Sequence, residues 1–360
     1  MKSLICPIII LIIMSCTRQD MMIGRNILIK EFPQEINLSG EKLDITSIGV
    51  NNIFVVDTFL ICYKAMGLDE FFDIYSTNTY QSLGKFLSPG KGPNEFLNAT
   101  YMGQHFKDSS NTYMWIKDEA LMKLTLFNLT ESVKQQKTII VSCIYLSNSC
   151  IGNNYIIGDT LISIVNSSSD LFLSSYNLQK DSLLEPTIIM FRDPLKNIQE
   201  YIFGMNIQIH PNRTKFISAM SNFNQINIFS PNFTDITTLS IYKPTISIKE
   251  ISLTPDIERI RYYSNVFVTN SSIYALYINK PTSIWREHEK SIEIQEFTWN
   301  GTPIRKFTIP NDIIYFTFII RKSKFPQNPK RSVRFSGKRT KRSVQKRKAR
   351  NTQKAETKVL

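Results

Sequence analysis

The chain has 360 residues, 43 Lys and Arg against 30 Asp and Glu, and a formal net charge of +13. Taken whole, that charge points to nucleic acid or another acidic partner, but its distribution removes the inference. Residues 321–360 hold sixteen of the basic side chains and one acid, Glu356, so residues 1–320 carry 27 basic against 29 acidic, and nucleic acid is not expected as a partner despite the basic tail.

The first element is "MKSLICPIIILIIMSC", a Lys followed by the apolar run Leu4 to Met14, then Ser15 and Cys16. The run is much shorter than the roughly 20 residues that a membrane-spanning helix needs, so residues 1–16 read as a signal peptide. Ile13-Met14-Ser15-Cys16 resembles a bacterial lipobox. The resemblance implies an acylated Cys16, a lipid bilayer as the first partner, and an outer membrane lipoprotein on the periplasmic side or the cell surface. Residues 17–25 are then a short linker.

From residue 26 to 320 the chain alternates short apolar runs with Asn, Asp, Ser, Gly and Pro and shows no long helical period, which reads as all-β. Five runs end in an aromatic and a polar turn, with Tyr75, Phe127, Tyr176, Phe229 and Phe297 spaced 52, 49, 53 and 68 residues apart. Each is preceded by another apolar strand: "NIFVVD", "TYMWIKD", "NYIIGD", "KFISAM" and "SIYALYI". A period of about 50 residues built from strands is the plan of a propeller blade. We expect six blades, the segment from Asn26 to Asp44 closing the last one together with residues 311–320.

The most distinctive loop follows the first aromatic strand: "SLGKFLSPGKGPNEF". A P-loop is excluded, because Gly84 to Gly90 is one residue too long, Gly92 stands where a hydroxyl residue must hold magnesium, and Pro93 lacks an amide donor. Gly90 and Gly92 permit positive φ and Pro93 fixes its own. The segment Gly90, Lys91, Gly92, Pro93, Asn94, Glu95, Phe96 is therefore a preorganised connection. It is a candidate binding loop, or a link between blades in which Glu95 caps local amides.

Signal, Cys16, the G-x-G-P-x-E-F element at Gly90–Phe96, "IYALY" at Ile273–Tyr277 and the hairpin "FTWNGTPIRKF" together resemble the TolB-like, six-bladed β-propeller lipoproteins of Bacteroidota. The resemblance spans residues 29–320. It implies a last blade completed by one more pair of strands, where this chain instead turns basic, leaving that blade short of strands. The abrupt break after Ile320 suits a disordered polybasic arm or, as the reading we favour, an ending replaced by a shifted reading frame.

Little catalytic chemistry is legible. His105, His210 and His288 lie in different repeats and no G-x-S-x-G elbow is present. Asp57, Asp118 and Asp159 end strands in three repeats and could form an axial cation ring or simply take turn hydrogen bonds. Cys143 and Cys150 could pair, but no Cys or His spacing suggests a metal. We expect no catalytic residues, no metal site and no cofactor. The propeller is expected to act as a non-enzymatic binding or scaffold module for a peptide, protein or glycan, the alternative being an envelope hydrolase or lyase using its axial face.

Overall fold

The computed structural model describes residues 23–39, 43, 45–65, 69–146, 152–166, 170–180, 182–192, 202–284, 292–309, 316–320 and 331–335. The signal peptide, Cys16, Cys150, His288 and residues 336–360 lie outside them.

Strands β1 (Arg25–Ile29) and β2 (Glu35–Asn37) come first. The first blade is β3 (Asn52–Val56), β4 (Phe59–Tyr63), β5 (Phe72–Ser76) and β6 (Ser82–Phe86). The second is β7 (Ala99–Lys107), β8 (Thr112–Asp118), β9 (Lys123–Asn128) and, after helix α1 (Leu129–Gln135), β10 (Ile140–Tyr145). β11 (Asn153–Ile157), β12 (Thr160–Asn166), β13 (Asp170–Asn177) and β14 (Ser182–Arg192) make the third. The fourth is β15 (Met205–Ile209), β16 (Phe216–Met220), β17 (Gln225–Phe229) and β18 (Thr237–Ile241), followed by helix α2 (Ile248–Leu253). β19 (Ile260–Val268), β20 (Ser272–Pro281), β21 (Ile292–Thr298) and β22 (Pro303–Ile309) make the fifth. Within each blade consecutive strands pair antiparallel.

The fold is a β-propeller. Among the described residues there are five four-stranded blades, and between β3 and β19 lies β23 (Phe316–Ile320), which pairs with β24 (Arg331–Phe335). The described part of this last region is thus a strand pair, one strand of it inside the stretch read as a basic tail. The leading strands do not close it. β1 runs parallel along the outer edge of β18, and β2 parallel along β22, giving the fourth and fifth blades a fifth strand each. The reason is packing: Ile27 and Ile29 find an apolar seat with Leu239, Ile241 and Phe297 between those two blades.

No single core exists. Apolar clusters fill the wedges between neighbours: Phe72, Phe86 and Phe127 between the first and second blades, Leu124 and Tyr176 between the second and third, and Phe191 and Phe216 between the third and fourth. Ile226 and Phe297 lie between the fourth and fifth, and Leu276 with Phe316 between the fifth and β23. The five marker aromatics all fall on third strands, β5, β9, β13, β17 and β21, and all are buried. A third strand has a neighbouring blade on each face, and each buried aromatic contributes about 1.5–3 kcal/mol of transfer free energy. The long last interval, 68 residues, accommodates α2 and the extended β19 and β20.

The strands that precede those aromatics are not equivalent. "NIFVVD" and "NYIIGD" contain β3 and β11, first strands, whereas "TYMWIKD", "KFISAM" and "SIYALYI" contain second strands β8, β16 and β20. First and second strands run in opposite directions, so Asp57 and Asp118 sit at opposite ends of their blades and cannot share an axial ring.

Candidate functional site: the axial channel

First strands of a propeller are edge strands, and their free N–H and C=O groups must be satisfied around the axis. Here side chains do it from blade to blade. In β7, residues 102–104 face the single residue Trp115 of β8, because Tyr101 pairs with Ile116 and His105 with Met114. This bulge turns Gln104 toward the third blade, where its Nε2 donates to Ile156 O (2.9 Å) and its Oε1 accepts from Ile156 N (2.7 Å). Tyr155 Oη then donates to Ile207 O of the fourth blade (2.9 Å), and Asn206 Nδ2 to Tyr263 O of the fifth (3.4 Å). Gln104→Ala is expected to leave two buried backbone groups unpaired at a cost of about 2–4 kcal/mol. Gln104→Glu should cost at least as much, because its second carboxylate oxygen would face Ile156 O, acceptor against acceptor, at a buried position. Urea denaturation of the two variants checks this.

The same bulge pushes Gly103 (φ +75°) into the axis, where a Cβ would lie 2.6 Å from Gln208 Oε1. The channel has two adjoining chambers that share Gly103 and Gln208, and also Asn52, Tyr101 and Asn265, in their walls. The chamber where the inner strands begin has a volume of about 420 Å³ and is lined by amides and hydroxyls: Asn52, Thr100, Asn153, Asn206, Gln208 and Asn265. Its charged groups are spent on each other and on the backbone, Lys117 Nζ donating to Glu119 Oε1 (3.0 Å) and to Gly152 O (2.5 Å).

The second chamber, about 500 Å³, is more aromatic. Phe54 packs on Tyr101 with ring centroids 4.6 Å apart. Tyr101 Oη and His105 Nδ1 share a hydrogen bond (2.8 Å), and no hydrogen bond is made by His105 Nε2 among the described residues. Desolvation on the wall side lowers the His105 pKa, opposed by Asp57. Asp57 itself accepts from Lys107 Nζ (2.6 Å) and Thr112 Oγ1 (3.2 Å) rather than from a histidine. At the mouth, His210 Nδ1 accepts from Asn212 N (3.0 Å), its Nε2 faces Asn270 O (3.2 Å), and its ring packs on Trp299. Among the described residues no three His, Cys, Asp or Glu side chains converge.

No family model matches the chain, and no curated protein does. Among solved structures it is similar to a member of the DUF4221 family from Bacteroides vulgatus, at 12% identity and a TM-score of 0.47 over 81% of this chain and 88% of that one. It is also similar to a Bacteroides fragilis protein described as exported (13%, TM-score 0.43, 79% of each) and to the β-propeller domain of Myceliophthora thermophila Cps50 (10%, TM-score 0.33, 76% and 91%).

The sequence-predicted residues lie elsewhere. None of Gly90–Phe96 lines the channel. The loop joins the first blade to the second and closes on itself: Gly90 N donates to Phe96 O (2.9 Å), Phe96 N to Ser88 O (3.0 Å), and Gly92 N to Glu95 Oε2 (2.7 Å). Buried Lys123 donates to Glu95 O (2.8 Å) and lies 4.3 Å from the centre of the Phe96 ring. Gly90 has φ +151°, and a Cβ there would fall 2.0 Å from Glu95 Oε2, whereas Gly92 lies outside the positive-φ region. Gly90→Ala is expected to cost about 1–3 kcal/mol through backbone strain and the displaced carboxylate, read as a lowered thermal midpoint. Lys91, Pro93 and Asn94 remain exposed.

Asp118 takes turn hydrogen bonds, its Oδ2 accepting from Leu97 N (2.6 Å) and Asn98 N (3.1 Å) and its Oδ1 from Leu121 N (3.0 Å). Cys143 is an exposed free thiol, and burial pushes the Cys62 thiol up to about 12, which makes it unreactive. The channel amides escaped the sequence reading. Their signal was polar residues interrupting inner strands, as in "NNYII" and "MNIQI".

Proposed function

We propose that the chain is an envelope lipoprotein, acylated at Cys16, whose propeller binds or scaffolds a peptide, protein or glycan through the axial channel without transforming it. The TolB-like reading of the loop, the late strand and the hairpin belongs to this proposal. The observation that carries it is the chemistry of the wall: primary amides and aromatic faces converge there, while its Asp57 is hydrogen-bonded to Lys107 and Thr112 rather than to a histidine. An axial hydrolase or lyase needs an acid–base pair within hydrogen-bond reach of a common point; among the described residues no carboxylate of this wall is bonded to a histidine, and the Tyr101–His105 pair is the alternative a lyase would have to use.

Two experiments test it. Photo-crosslinking residues placed at Asn265 and at Tyr145, on the exposed outer edge of the second blade, should capture envelope material from the first site alone; capture from the second alone overturns the channel reading. Metabolic labelling with an alkyne fatty acid should tag the wild type and not Cys16→Ser, and equal labelling overturns the anchor.

A further inference from the structure

The channel restricts its own ligand, and the argument rests on the binding reading above. Strand addition by a peptide requires free main-chain groups at a sheet edge. On three of the inner strands such groups are already engaged, both at Ile156 by Gln104, and the carbonyls of Ile207 and Tyr263 by Tyr155 and Asn206. Phosphate or nucleotide recognition requires an uncommitted cation or a run of amide donors, and Lys117, the lysine of the first chamber, is already bonded to Glu119 and Gly152. The side chains with capacity to spare are amides: among the described residues Asn153, Gln208 and Asn265 make no hydrogen bond, and Asn52 uses only its Oδ1, on Ile53 N.

A primary amide offers donors and acceptors side by side. That pattern complements adjacent hydroxyl groups, each of which also donates and accepts. Beyond Gly103 and Gln208, Phe54 and Tyr101 supply an apolar face and His105 a ring nitrogen with no hydrogen bond among the described residues. Arg213, which has no ion pair among the described residues, lines the second chamber from the β15–β16 turn and not the first, so the exclusion of phosphate holds for the first chamber and inorganic phosphate is the probe for the second. We infer that the channel takes a neutral polyhydroxylated ligand, a short oligosaccharide, with its hydroxyl edges on Gln208, Asn153 and Asn265 and one ring against the Phe54–Tyr101 face. Each chamber lies within the range of about 300–1,000 Å³ typical of small-ligand sites.

The test is isothermal titration calorimetry of the full chain with neutral gluco-, manno-, galacto-, xylo- and N-acetylhexosamine oligosaccharides, with short peptides and inorganic phosphate as comparison probes. At least one saccharide is expected to bind, with an affinity unchanged by added salt. Gln208→Leu and Asn265→Leu should each weaken it about tenfold, and Tyr145→Ser should leave it unaltered. Where a Leu variant loses its fold, saccharide-induced shifts of the wild-type Asn and Gln side-chain amide NMR signals read the same contact. Peptide or phosphate binding that the same variants abolish, with every saccharide silent, overturns the ligand class and leaves the binding module standing. Silence of all probes overturns the inference, and cleavage of a saccharide overturns both it and the non-enzymatic reading.

Discussion

Between about pH 10 and pH 12 the folded chain is expected to unfold in one cooperative step. Tyr155, Tyr262, Tyr263 and Tyr277 are each no more than 3% exposed. Burial pushes Tyr262 up to about 12 and raises Tyr155, Tyr263 and Tyr277 further, the neighbouring tyrosines and Glu293 adding to Tyr263 and Tyr277. A folded-state pKa above the unfolded value of about 10 gives stability that is complete below pH 10 and is lost as pH rises toward the folded pKa. Each such tyrosine costs about 1.4 kcal/mol per pH unit over that window, so four remove about 6 kcal/mol by pH 11, comparable with the roughly 5–15 kcal/mol that holds a domain together.

Tyr242, 37% exposed, adds less because solvent screens it, while Cys62 begins to contribute above about pH 8.5, where the unfolded thiol ionises. Tyrosinate absorbance and far-UV circular dichroism should therefore change together on alkaline titration. Tyrosinates appearing near pH 10 with the dichroism intact would sink the idea. Tyr277→Phe removes a buried hydroxyl that has no hydrogen-bond partner among the described residues, so it should move the midpoint upward.

The marker aromatics were legible in the sequence because a third strand is covered on both faces whatever its blade, and Tyr75, Phe127, Tyr176, Phe229 and Phe297 report that constant environment. First and second strands were not separable by the same means. Both are short and apolar, and only long-range pairing decides which one faces the axis, so β3 and β11 were grouped with β8, β16 and β20. The seats of β1 and β2 were hidden for a related reason, since Arg25 pairs with Thr237 and Glu35 with Lys306, far along the chain. The Gly-Pro loop stood out because strained turns concentrate Gly and Pro locally. The channel amides did not stand out, because their common location arises only when five inner strands are brought around one axis.

Phe229→Ala is expected to cost about 3–5 kcal/mol, the combined loss of transfer free energy and of packing around the cavity. Phe229 is fully buried, lies 5.5 Å from Phe216 in a stacked pair and 5.1 Å from Phe233 edge-on, and belongs to the cluster that joins the third and fourth blades. In an open repeat array such a loss is confined to neighbouring units. Here β1 ties the start of the chain to the fourth blade and β2 to the fifth, while β23 touches the first and fifth, so a wedge that opens beside the fourth blade also strains the closure. Calorimetry should show one endotherm shifted down by about 10 °C, with Phe229→Leu recovering much of the shift because it refills part of the cavity. A second, separate endotherm would mean that the blades melt independently and that these parallel straps do not couple the ring. An unmoved single endotherm would mean that the wedge between the third and fourth blades is not what holds it closed.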